Sequence, residues 1–202
     1  MKELLLILKI YKVIQMTQNK NEANKRLIEK MNDLEKDYGQ TFSNTQKILL
    51  TTDGSITAIL DVLYGKIDLD TLDQHLENAD DERAKLVNVD AGEEINFREV
   101  IMHKGDQPLI YAISHVPLGR CSQEVCADLL RADIPIGRIL KNYKIESRRE
   151  VRNIFIEKPN DTLKDLFKTD EDFLARDYVI INNGEILMWI KEMFPVSYFS
   201  EI

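Results

Sequence analysis

The stretch Tyr178–Phe194, YVIINNGEILMWIKEMF, decides the fold. Both halves are rich in β-branched and aromatic residues, and between them lies Asn182–Asn183–Gly184, residue types that tolerate positive φ and reverse the chain. The stretch therefore reads as a β-hairpin. A second hairpin is written upstream, where INFREVIMH (Ile95–His103) and LIYAISHV (Leu109–Val116) flank the turn cluster KGDQP. IESRREVRNIFIE (Ile145–Glu157) is β-like, and a further strand reads around Ile67–His75.

Helical patterns fill the gaps. Leu27, Met31, Leu34 and Tyr38 recur at helical spacing, which predicts an amphipathic helix over Asn24–Tyr38 ending at Gly39. After an apolar run (Ile48–Leu50) and a turn (Thr51–Gly54), Ser55 is the expected N-cap of a helix that Gly65 stops. Shorter helices are expected after Ala79, over Ser122–Leu130, from Pro135 onward, and from an Asp161 or Thr162 cap to Phe167. Hairpins with helices between them define an α+β class, a mostly antiparallel sheet flanked by helices. We expect a helical extension over residues 1–42 and one main domain over 43–202.

With 202 residues, 44% hydrophobic and 31% charged, the chain can bury one core of ordinary globular type. A net charge of −8 disfavours broad nucleic-acid binding, but a few focused cations suffice for a small anion. Positive charge is concentrated in one place. Arg131, Arg138, Lys141, Lys144, Arg148, Arg149 and Arg152 are opposed only by Asp133, Glu146 and Glu150. This island reads as a nucleic-acid patch, a solvated face or an anion pocket. Sparse aromatics put nucleic acid last.

Cys121 and Cys126, five apart, do not share a helical face and read as reduced cytoplasmic thiols. His75, His103 and His115 lack zinc spacing. His103 and His115 could face each other across the hairpin, but ordinary strand histidines and no metal are expected. The N-terminal MKELLLILKIYKVIQM is broken by Lys9 and Lys12, has no small-residue cleavage site after it, and is too short to span a bilayer. It reads as an amphipathic docking segment, or as sequence upstream of a start at Met16.

Strand parity marks two side chains. Asn96, Arg98, Val100 and Met102 share a face, and an arginine among apolar neighbours calls for an anion partner. Its planar fork suits a carboxylate; a rim arginine paired to a protein Asp or Glu is the equal alternative. Ile186, Met188, Ile190 and Glu192 share a face on the last strand. A carboxylate beside apolar walls is expected to have a raised pKa suited to proton chemistry or to bonding a ligand hydroxyl; parity alone favours a strand end emerging into water. GSIT and PIG each open a helix, where free N–H groups favour anions.

Four ordered fragments, LLTTDGSITAILDVLYG, NFREVIMHKGDQPLIYAISHVPL, IPIGRILKNYKIESRREV and YVIINNGEILMWIKEMFP, resemble the chorismate lyase family, in particular a divergent branch. The resemblance covers roughly Gln46–Pro195. It implies a chorismate lyase-like fold with the ligand beneath helical flaps. The implied reaction removes pyruvate from chorismate to give 4-hydroxybenzoate without metal or cofactor. By the same resemblance Arg98 grips the ring carboxylate and Glu192 meets the 4-hydroxyl, the catalytic pair. Ile136 is the flap residue whose N–H reaches the carboxylate. Ile56 is its counterpart, where the family often carries Met. Arg149 and Arg138, taken from the basic island, are candidates for the enolpyruvyl carboxylate. The partner is thus a small molecule, with neither nucleic acid nor membrane, and the N-terminal helix offers a homodimer surface. A rival reading is a carboxylate sensor, like the effector domains of certain bacterial transcription regulators. The forty upstream residues lack the winged helix-turn-helix that such sensors usually follow.

Overall fold

In the computed structural model, which describes residues 22, 25–131 and 134–200, six strands form one antiparallel sheet. They are β1 (Asp68–Asn78), β2 (Glu94–Lys104), β3 (Gln107–Pro117), β4 (Arg148–Glu157), β5 (Phe173–Asn182) and β6 (Glu185–Pro195), in the order β1-β2-β3-β6-β5-β4. The expected hairpins are β2–β3 and β5–β6. In the second, Asn183 (φ 51°) and Gly184 (φ 88°) form the two-residue loop between the paired Asn182 and Glu185, the backbone an Asn-Gly turn supplies at little cost. β6 lies between β5 and β3, so the two hairpins join edge to edge.

The chain divides between Phe42 and Ser43 into two units. In the first, residues 25–38 form α1, and Gly39 (φ 73°) takes the left-handed conformation just after it. The MKELLLILKIYKVIQM segment lies, with the rest of residues 1–21, outside the described residues. The second unit carries the sheet and α2 (Asn44–Thr51), α3 (Ile56–Tyr64), α4 (Asp81–Val87), α5 (Gln123–Leu130), α6 (Ile136–Asn142) and α7 (Asp161–Phe167). The Ile48–Leu50 run belongs to α2, started by a capping box between Ser43 and Gln46. α7 is capped by Asn160, one residue before the expected position.

The sheet buries both faces unequally. On one, α5 and α6 pack on Val116, Tyr178, Ile180, Met188 and Ile190. On the other, α4 packs on Ile95, Val179 and Trp189, and α7 on Ile101, Tyr111, Phe173 and Met193. His115 stacks on Trp189 at 5.4 Å, and burial, helped by Arg83, holds its imidazole down to about 4, hence neutral. It does not face His103. A bulge after Met102 puts His103 opposite Pro108, while His115 lies opposite Phe97. Both cysteines are free, and no helix among the described residues is long and apolar enough to cross a membrane.

Candidate functional site

One pocket opens between the sheet and the first turns of α3 and α6. Its floor runs across five strands: Leu69 from β1, Arg98, Val100 and Met102 from β2, Ala112 and Ser114 from β3, Ile190 and Glu192 from β6, and Tyr178 and Ile180 from β5. Arg149 enters from β4. Its roof is Ser55, Ile56 and Thr57 on one side and Pro135, Ile136 and Gly137 on the other. Five of the six residues singled out in the sequence, Arg98, Glu192, Ile56, Ile136 and Arg149, thus line a single cavity.

Arg138 is the exception. Its guanidinium does not line the pocket but bonds both oxygens of Asp61 at 3.2 and 3.1 Å, tying α6 to α3 across the roof. Burial alone would raise the Asp61 carboxyl, but the Ile67 N–H and Arg138 outweigh this and hold it low. The tie is accordingly present at neutral pH and lost as pH falls through that lowered value.

The flaps also touch directly. A Cβ built on Gly137 would lie 2.9 Å from Ser55 Oγ and 3.9 Å from an Arg149 nitrogen, so only glycine permits this approach. Gly137→Ala is expected to cost about 1–3 kcal/mol by overpacking. Ser55→Gly, which removes the obstructing hydroxymethyl for a capping cost of only a few tenths, should restore the melting temperature. A Gly137→Ala variant that melts like the parent would show that the flaps do not meet in solution.

Arg98 is 2% exposed. Its Nη1 donates to the Ile134 carbonyl at 2.9 Å and its Nη2 to the Thr71 hydroxyl at 3.3 Å, which point the fork from β2 toward the α6 flap. Glu192 is also buried, but not against apolar walls alone. Arg176 Nε donates to Oε2 at 2.8 Å and the Tyr178 hydroxyl donates to Oε1 at 3.1 Å. Burial first, then the Glu192 charge, push the Tyr178 phenol upward, so it stays a protonated donor. Neither partner was singled out in the sequence. The basic island resolves into separate fates: Arg148 and Arg152 share Glu150, Arg131 meets Asp128, and Arg138 takes Asp61. Arg149 alternates inward, its Nε buried, and makes no hydrogen bond or ion pair among the described residues.

The chain is thus an α+β domain with a pocket whose charged groups are two arginines and a carboxylate. The chain belongs to the family described as chorismate pyruvate-lyase Rv2949c-like, which residues 50–201 match. It is 39% identical over 160 residues to a Methanocaldococcus jannaschii protein named "Putative lyase MJ0807", covering 76% of this chain and 79% of that one. The resemblance read from the four fragments is thereby borne out. In fold the chain is similar to a GntR-family transcriptional regulator from Bacillus cereus (TM-score 0.55, 14% identity, 67% of this chain and 95% of that one). It is also similar to the effector domain of PhnF from Mycobacterium smegmatis (TM-score 0.58, 12% identity, 74% and 93%).

Proposed function

We propose that this protein removes pyruvate from chorismate to give 4-hydroxybenzoate. The observation that carries the reading is one pocket with arginines at opposite sides, Arg98 on β2 and Arg149 on β4, and Glu192 on β6 between them. Chorismate is a dianion whose two carboxylates are separated by the ring and an ether. Arg98 binds the ring carboxylate, assisted by the N–H of Ile136 in the first turn of α6, which has no intrahelical acceptor. Arg149 binds the enolpyruvyl carboxylate, and Glu192 accepts from the 4-hydroxyl.

In the reaction the C4 proton leaves, the ether C3–O bond breaks and the ring becomes aromatic. The departing enolpyruvyl group takes up a proton, so the two products sum to the substrate and no water is consumed. Aromatisation supplies the driving force, and the protein orients the ether, fixes the charges and excludes water beneath Ile56 and Ile136. The reaction as written needs no metal or redox cofactor.

The test is purified protein with chorismate, following pyruvate and 4-hydroxybenzoate. No product above the spontaneous rate, with no binding of 4-hydroxybenzoate, ends the proposal. Binding without turnover selects a second reading, a carboxylate sensor, which the likeness to regulator effector domains favours. Arg149→Ala separates the two carboxylates. It should raise KM for chorismate about 10- to 100-fold, the worth of a charge-assisted hydrogen bond. Affinity for 4-hydroxybenzoate, which lacks the enolpyruvyl arm, should scarcely change. Equal losses for both compounds would place Arg149 at the ring carboxylate instead.

A further inference from the structure

Arg176 has no part in the steps above, and it does not line the pocket. It is nevertheless 1% exposed, on a strand whose side chains are buried almost throughout. Its Nε holds Glu192 Oε2 at 2.8 Å. Its Nη1 donates to the Thr52 carbonyl at 2.7 Å, three residues before the Ser55 cap of the α3 flap. Its guanidinium carbon lies 4.7 Å from the centre of the Tyr178 ring, whose hydroxyl donates to the other Glu192 oxygen. Its Nη2 is buried with no hydrogen-bond partner among the described residues. Stability does not account for such an arrangement, because an apolar pair of similar volume serves a core as well or better than a buried ion pair with an N–H left over.

We propose that Arg176 is a positioning residue that keeps Glu192 a hydrogen-bond acceptor, so that the pocket selects ligands whose para substituent donates a hydrogen bond. The inference rests on reading the Arg98–Glu192 axis as the benzoate site of the proposed function. Both carboxylate oxygens already accept from donors, one charged and one neutral, which fixes the plane of the carboxylate. The lone pairs left over are aimed to accept one more hydrogen bond. A hydroxyl or amino group at that point completes the set. A substituent without a hydrogen leaves a buried anion underbonded, which a site built for a donor rejects. Through Thr52, the same guanidinium also holds the segment that leads into the α3 flap.

The experiment is calorimetric titration of the full chain with 4-hydroxybenzoate and 4-fluorobenzoate, at one pH. The two are nearly isosteric and differ in the donor. Wild type should prefer the hydroxy compound by about 10- to 100-fold. In Arg176→Met that preference should collapse toward unity, with 4-fluorobenzoate, held through Arg98, losing little. Arg176→Lys should restore much of the preference. A merely structural arginine would weaken both ligands alike, so an unchanged ratio in Arg176→Met overturns the assignment. Should that variant not fold, Arg176→Gln keeps a donor to Glu192 without the charge. The ratio must fall there too, and its persistence overturns the assignment equally. Wild type that binds neither benzoate brings down the benzoate site itself and this inference with it. Wild type that binds both equally brings down only the role of Arg176.

Discussion

Arg98→Ala is expected to weaken 4-hydroxybenzoate binding by about 2–4 kcal/mol, roughly 30- to 1,000-fold, as measured by calorimetry. The size follows from burial. At 2% exposure the guanidinium meets a carboxylate with little solvent screening, and its orientation is set before the ligand arrives by Ile134 and Thr71. Those two contacts also link the edge strand β1 to the segment leading into α6, so the variant should release the flap along with the anchor. Arg98→Lys is not expected to recover the affinity. A single ammonium cannot hold a carboxylate by two parallel bonds while keeping both the Ile134 and Thr71 contacts. Unlike Arg149→Ala, the loss should be as large for chorismate as for its product, because both carry the ring carboxylate. Wild-type affinity in Arg98→Ala would mean that the carboxylate lies elsewhere in the cavity.

The sequence carried Arg98 and Glu192 because each lies in a stretch of strand that alternates regularly around it. The β2 bulge comes after Met102, beyond Arg98, and the β5–β6 irregularity lies near the turn, away from Glu192. The His103–His115 pairing failed on register alone, because His115 lies opposite Phe97, six residues before His103 on β2. Arg149 was legible as one of several arginines, but alternation alone could not say which faced inward. The placement of Arg138 outside the pocket was not legible because its partner Asp61 lies 77 residues away on another flap, which no local pattern reveals. α2 was hidden because only a short apolar run marks it. The buried Gln46, which bonds the carbonyls of Val196 and Tyr198, reads as polar and exposed in sequence. Arg176 and Tyr178 were missed for the opposite reason. FLARDYVII is buried on both faces, so it offers no alternation. The available signal was the arginine itself, since a cation inside a continuous buried strand must have an anion beside it.

Glu192→Gln is expected to lower chorismate turnover by about 100-fold or more, the usual consequence of removing a preorganised charge from beside the reacting atoms. The substitution keeps the shape and loses the anion. One amide oxygen can still accept from Arg176 or from Tyr178, but the amide NH2 must then face the other donor. The Arg176 guanidinium is left buried without a countercharge, which costs about 3–5 kcal/mol of stability where one member of a buried pair is removed. Lower activity in a less stable protein would not by itself distinguish a catalytic carboxylate from a structural one. The double variant Glu192→Gln/Arg176→Gln resolves this. With both charges gone, two amides can bond each other, and the melting temperature should recover most of the loss. Turnover should not recover, because the acceptor for the 4-hydroxyl and the negative charge near C4 remain absent. If turnover returns with stability, Glu192 serves the fold and the proton leaves C4 without it. If stability returns alone, the carboxylate acts on the substrate, and Arg176 is present because that carboxylate must stay charged in a closed pocket.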